Sequence, residues 1–183
     1  MIKCLELART DAKACSKAAA GSEWEKGEFL GQGTFGRVQK AVQKQTSLLL
    51  AIKTLKEDNA NEFMREVSLC AGLSHPNIVQ LVDVFVRPKK GLVFVFAGPN
   101  LHVALTAGAV PKEELTGLSV QLLEGLAYLH ANFITHSDVK PRNLSWEPEK
   151  KHLTILDLGN AIVSLPGFRA FREGEFIIFG TAR

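Results

Sequence analysis

Eight consecutive residues, His136-Ser137-Asp138-Val139-Lys140-Pro141-Arg142-Asn143, bring an acid, a cation and an amide within reach of one small volume. Pro141 keeps the stretch out of a plain helix, so it reads as a loop. The Asp138 carboxylate could accept a proton from a hydroxyl. The Lys140 ammonium could neutralise a phosphate. The Asn143 amide oxygen could ligate a hard cation such as Mg²⁺, which takes oxygen ligands. The same residues also suit an ordinary polar loop, and short matches arise by chance. A second acid, Asp157 in Leu156-Asp157-Leu158-Gly159, follows at the end of an apolar run. It suits either a turn or a second metal ligand.

Two upstream stretches offer complementary chemistry. Gly31-Gln32-Gly33-Thr34-Phe35-Gly36-Arg37-Val38 follows the apolar pair Phe29-Leu30. Glycines let backbone amides approach a phosphate closely. A dinucleotide-binding fold also uses such glycines, but it places a helix directly after them. Here residues 37–42 alternate in polarity and Leu48-Leu49-Leu50-Ala51-Ile52 forms a second run, so strand, turn, strand is predicted. A Gly-rich hairpin without a ligand is the plainer alternative. Lys53 closes the second run, a place where a charge ordinarily just faces water.

These residues need a frame. Glu25–Gly33, residues 37–42 and residues 48–52 read as three strands, and Ile78–Phe85 and Gly91–Phe96 as two more. Between them, Phe63, Val67 and Cys70 recur at helical spacing within Asn59–Ala71, which also carries Glu62 and Glu66. Residues 97–100, Ala-Gly-Pro-Asn, break the pattern. Leu115, Leu118, Leu122, Leu126 and Leu129 predict a helix over Pro111–Asn132, with proline near its start where it is tolerated. That helix delivers the Asp138 loop. Residues 153–156 form a short strand ending at Asp157.

Taken in this order, the motifs resemble the protein-kinase family, and the resemblance runs from about Glu25 to Arg183. It implies an α+β, two-lobed protein-kinase-like fold. An antiparallel five-stranded N-lobe with one helix is expected over 23–97. A truncated, mainly helical C-lobe is expected over 98–183, ending in the activation segment, with an N-terminal extension over 1–22. It implies ATP and Mg²⁺ as cofactors and a protein hydroxyl as acceptor. Asp138 would orient that hydroxyl and take its proton, and Lys140 would stabilise the transferring phosphoryl group. Lys53, paired with Glu66 rather than Glu62, would position the phosphates, and Asn143 and Asp157 would hold Mg²⁺. The nucleotide would lie against Leu30, Gly31, Gln32, Gly33, Thr34, Phe35, Gly36, Arg37, Val38 and Ala51. Phe94 would stand behind the adenine, with Val95 and Ala97 offering backbone contacts. Lys140 resembles the serine/threonine subclass, and Val93-Phe94 with Phe96 is similar to cyclin-dependent-like kinases.

Four departures from the family pattern bear on function. Ser137 stands where the family has an arginine that meets an activation-loop phosphate. Leu158 replaces a phenylalanine and keeps an apolar anchor. Ser145 occupies a position usually apolar beneath the adenine. The Ala-Pro-Glu segment and later helices of the family do not appear, so the chain looks like a kinase domain cut in its activation segment, with one face of the 111–132 helix exposed. Beyond Asp157 the chain offers Ser164 and Thr181 as hydroxyl acceptors, with Arg142, Arg169 and Arg172 as candidate cations. Activity is therefore expected to be insensitive to phosphorylation there.

Composition narrows the alternatives. Of 183 residues, 46% are hydrophobic, enough for a packed core. A net charge of +3 gives no case for nucleic-acid binding. Cys4, Cys15 and Cys70 lack zinc-ligand or disulfide-framework spacing. No membrane span or secretory leader is read, and a cytoplasmic location, with the nucleus also open, is expected. The expected partners are a protein substrate and a regulatory protein. Two further functions compete with phosphotransfer: a pseudokinase module that binds nucleotide or a partner without turnover, and an incomplete product with no independent function.

Overall fold

The structure, a computed structural model, describes residues 24–33, 36–56 and 60–164. Five strands build the first half: β1 (Trp24–Gln32), β2 (Gly36–Gln43), β3 (Leu49–Leu55), β4 (Leu81–Phe85) and β5 (Gly91–Val95). They form one sheet in the order β1-β2-β3-β5-β4, antiparallel at every step. Helix α1 (Ala60–Cys70) is inserted between β3 and β4. No helix follows Gly36; β2 begins there. The two-lobed reading with an antiparallel five-stranded sheet and one helix therefore holds.

The second half starts with α2 (Leu101–Thr106) and α3 (Glu114–Ala131). Short pieces follow: β6 (Ile134–Thr135), a 3-10 turn at Pro141–Asn143, β7 (Leu144–Glu147), β8 (His152–Ile155) and β9 (Ile162–Val163). β7 pairs with β8, and β6 with β9, both antiparallel. The core runs through both halves, joining Leu55, Phe63 and Leu92 to Leu129, Trp146, Leu153 and Ile155. A smaller cluster of Ala41, Leu50, Ile52, Phe85 and Val93 fills the other face of the sheet. Strand alternation explains the division, since successive side chains point to opposite faces.

Several boundaries differ from those predicted. Lys53 does not end its strand; β3 continues to Leu55, with Lys53 opposite Val38 and Leu92. β4 begins at Leu81 instead of Ile78. Residues 77–79 turn to the other half, where Ile155 N–H donates to the Asn77 carbonyl (2.8 Å) and Val79 N–H to the Ile155 carbonyl (2.9 Å). α3 begins at Glu114, because Pro111 opens a turn whose carbonyl accepts from the Glu114 N–H (3.1 Å). α3 buries Leu118 and Leu129 but leaves Leu115, Val120 and Leu123 exposed. α2 is not among the elements predicted from the sequence, which place only a break at residues 97–100. Its N-cap is Asn100, whose side-chain oxygen accepts from the His102 N–H (2.8 Å), a standard helix-start bond.

Candidate functional site

β3 aims Lys53 into the interior, where it is 7% exposed. Its Nζ lies 2.8 Å from both carboxylate oxygens of Glu66 on α1 and 2.8 Å from Oδ1 of Asp157. Glu66 is 2% exposed. Burial by itself would push the Lys53 ammonium down, but the facing Glu66 and Asp157 carboxylates outweigh it, and the group is held above its ordinary value. Lys53 is thus a fixed cation linking three elements. Of the two α1 glutamates considered, Glu66 makes this pair; the Glu62 side chain lies outside the described residues.

The Asp138 loop is held from below by His136, which is 1% exposed. Its Nε2 lies 2.9 Å from the Leu156 carbonyl, and its Nδ1 lies 3.3 Å from the Asp138 N–H. Those partners select the tautomer that donates through Nε2 and accepts at Nδ1. Ser137 and Asp157 both adopt the left-handed region, with φ of 64° and 54°. Such backbone costs on the order of 1–3 kcal/mol per residue and is typical of functional loops. The Ser137 hydroxyl donates back to the Thr135 carbonyl (3.3 Å).

Asp138 receives three side-chain donors. Lys140 Nζ lies 2.7 and 2.9 Å from its two oxygens, Asn143 Nδ2 donates to Oδ2 (2.8 Å), and Asn160 Nδ2 approaches the same oxygen at 3.4 Å. The hydrogen bond from Lys140 is the main cause that holds its carboxyl below the usual carboxylate range; burial opposes it, and Asn143, the Lys140 charge and Asn160 add to the lowering. Asn143 also donates to the Asp138 carbonyl (2.8 Å), and its own carbonyl accepts from the Leu156 N–H (2.8 Å). Asp157 therefore follows directly on the residue that Asn143 holds. The two hard-oxygen side chains fit Mg²⁺, which is commonly held by one or two protein ligands with waters and phosphate completing its shell. Among the described residues no cluster of three or more His, Cys, Asp or Glu offers a metal cage.

The residues expected to face a nucleotide are more dispersed. Gly33 N–H donates to the Gly36 carbonyl (2.9 Å) and closes the β1–β2 turn. Open space surrounds the Cβ positions of Gly31 and Gly33, whereas Gly36 is pressed against the backbone of Thr54 and Leu55. Thr34 and Phe35 lie outside the described residues. Leu30 and Gln32 are exposed, and Val38 and Ala51 half-buried. The Arg37 guanidinium stacks on Phe29, 4.6 Å from the ring centre. Phe94 is buried in β5 opposite Ala51. The Val95 N–H is bonded to the Gln80 carbonyl (3.0 Å), so it is not open to a ligand.

Leu158 is fully buried, as an apolar anchor should be. Ser145 is also fully buried, opposite Thr154, and its hydroxyl has no hydrogen-bond partner among the described residues. Three contacts escaped the sequence reading: Asn160 to Asp138, His136 to Leu156, and Arg65 on α1 to the Ala161 carbonyl. For Arg65 the only signal was its place beside Glu66, and for Asn160 its place after Gly159. Ser164 lies at the edge of the described chain, its N–H bonded to the Phe133 carbonyl (2.9 Å). Thr181, Arg169 and Arg172 lie outside it.

Residues 24–166 match the protein kinase domain family. The chain is 37% identical over 141 residues to MAP kinase kinase kinase SSK2 of Saccharomyces cerevisiae, covering 72% of this chain and 9% of that protein. It is 33% identical over 124 residues to serine/threonine-protein kinase 36 of Pongo abelii, covering 64% and 9%. It is 31% identical over 180 residues to serine/threonine-protein kinase SSK22 of S. cerevisiae, covering 93% and 12%. The chain thus spans about a tenth of the length of these relatives. No helix among the described residues is long and apolar enough to cross a membrane.

Proposed function

The chain belongs to the protein kinase domain family, serine/threonine type, and we propose that its site transfers the γ-phosphate of ATP to a serine or threonine hydroxyl of a protein. The observation that carries this reading is Lys53, buried between Glu66 and Asp157, one chain segment away from the Asp138–Lys140–Asn143 loop. Lys53 is placed to hold ATP phosphates. Asp138, kept ionised by Lys140 and Asn143, can orient an acceptor hydroxyl and take its proton. Lys140 sits where it can balance charge on the phosphoryl group in flight. Asn143 and Asp157 would hold Mg²⁺, which when bound neutralises phosphate oxygens. Residues 23–97 and 98–183 act as the two lobes on either side of the nucleotide. The Gly31–Gly36 turn covers it, and Phe94 and Ala97 border its base.

The reading is tested by separating turnover from binding. Asp138→Asn is expected to abolish phosphotransfer while leaving Mg²⁺–ATP affinity, by titration calorimetry, within a few-fold of the parent. Asp157→Asn is expected to weaken metal-dependent nucleotide binding. Equal loss of binding in both variants would show the division of roles to be wrong. Nucleotide binding with no turnover in the parent would favour the pseudokinase alternative.

A further inference from the structure

The 3-10 turn at Pro141–Asn143 sends two neighbouring side chains opposite ways. Asn143 is buried, and Arg142 is exposed. Arg142 is nevertheless held in place. Its carbonyl accepts from Asn100 Nδ2 (2.7 Å), and its Nη2 lies 3.3 Å from His102 Nε2. That contact and the bond to its carbonyl fix where the guanidinium stands.

No carboxylate pairs with Arg142 among the described residues. Helix α2, packed on the turn, contains His102 and no acid. β7 carries one acid, Glu147, which is paired with Lys150 (2.9 Å). Asp138 is already engaged by Lys140 and Asn143. An oriented cation that no carboxylate among the described residues neutralises therefore stands on the same short loop as Asp138. Most of its fork is left for an incoming anion, and the guanidinium geometry suits carboxylate and phosphate.

We propose that Arg142, steadied by His102, is a specificity subsite for the acceptor polypeptide and selects an acidic or already phosphorylated residue close to the acceptor hydroxyl. The proposal rests on the phosphotransfer reading for the identity of the ligand as an acceptor chain. It adds the chemistry of the residues flanking the acceptor. The alternative is an exposed arginine that only solvates its loop.

Peptide binding tests the subsite independently of turnover. Four fluorescent peptides share one serine and differ only in its flanking residues: glutamate, phosphoserine, glutamine or lysine. Their anisotropy is followed with the full chain and with Arg142→Gln and Arg142→Glu, whose folding is checked by circular dichroism. The parent should bind the glutamate and phosphoserine peptides about fivefold more tightly than the glutamine peptide, the range of an exposed charged contact. Arg142→Gln should erase the difference, and Arg142→Glu should turn the preference toward lysine. Equal affinity for all four, no measurable affinity for the two anionic peptides, or a preference that survives Arg142→Glu would overturn the proposal. ATP consumption with the glutamate peptide is scored separately. An acidic preference without turnover upholds the subsite and removes phosphotransfer, whereas turnover without preference does the reverse.

Discussion

Replacing Lys53 with methionine should destabilise the fold in a pH-dependent way. Methionine has similar reach but no charge. The substitution removes the ammonium that Glu66 faces at 2.8 Å in a site where Glu66 is 2% exposed. Breaking a buried pair by deleting one partner costs roughly 3–5 kcal/mol. The carboxylate has an escape, however, because it can take up a proton. Starting from an ordinary glutamate near ~4.3, neutralising it costs about 3.7 kcal/mol at pH 7 and about 1 kcal/mol at pH 5. Those values cap the penalty. Urea denaturation should therefore show Lys53→Met about 3 kcal/mol less stable than the parent at pH 7, falling to about 1 kcal/mol at pH 5. Adding Glu66→Leu should restore most of the pH 7 loss. The alkaline side provides a second check. The Lys53 value is raised on folding, so its contribution is complete below the unfolded value of ~10.4 and is lost as pH rises through the folded value. The parent should weaken in that window and the variant should not weaken from this source. A penalty equal at pH 5 and pH 7, with no recovery in the double variant, would refute the argument.

Three further outcomes follow from close packing and from the link between the halves. Gly36→Ala places a methyl against the Thr54 carbonyl, whose carbon is 3.1 Å away and whose oxygen is nearer. It should cost roughly 1–3 kcal/mol by thermal or urea denaturation. Gly33→Ala meets open space and should change stability by less than about 0.5 kcal/mol while weakening ATP binding. Arg65→Met removes the donor to the Ala161 carbonyl. It should speed amide hydrogen exchange at residues 161–163 by roughly tenfold, the worth of one charged hydrogen bond; unchanged protection would mean that β9 is held by its pairing with β6 alone.

The chemistry-bearing loop could be read from the sequence because its roles sit on contiguous residues with a proline to enforce irregular backbone. The sheet was readable because runs such as Leu49–Leu55 and Gly91–Val95 are short, apolar and separated by polar turns. What could not be read was local structure decided by distant partners. Residues 78 and 79 look like strand, but pairing with Ile155 takes them out of the sheet. Leu144–Glu147 is too short to show a period, and it is a strand because β8 lies beside it. Helix α2 is a different case, since Asn100 before Leu-His-Val-Ala-Leu is a legible start signal that the glycine and proline ahead of it obscured. The Lys53–Asp157 contact spans 104 positions, and nothing in either neighbourhood announces it.

That contact also bears on how the two halves work together. A buried ion pair is a weak source of net stability, because desolvating the charges offsets much of their attraction. The arrangement around Lys53 is better understood as a geometric device. Its cation comes from the sheet, one carboxylate from α1 and the other from the segment after β8. Withdrawing Lys53 leaves the buried Glu66 carboxylate without its counterpart. The Asp138 loop is tied to the same segment through Asn143 and His136, both bonded to Leu156. A shift of α1 that separates Glu66 from Lys53 would therefore alter the position of Asp157 as well, and through Leu156 the footing of the Asp138 loop. Burial makes the coupling steep, because the attraction that keeps Lys53 in register is strongest where water is excluded. Asp157 and Leu156, adjacent in the chain, thus join the Lys53 cluster to the Asp138 loop.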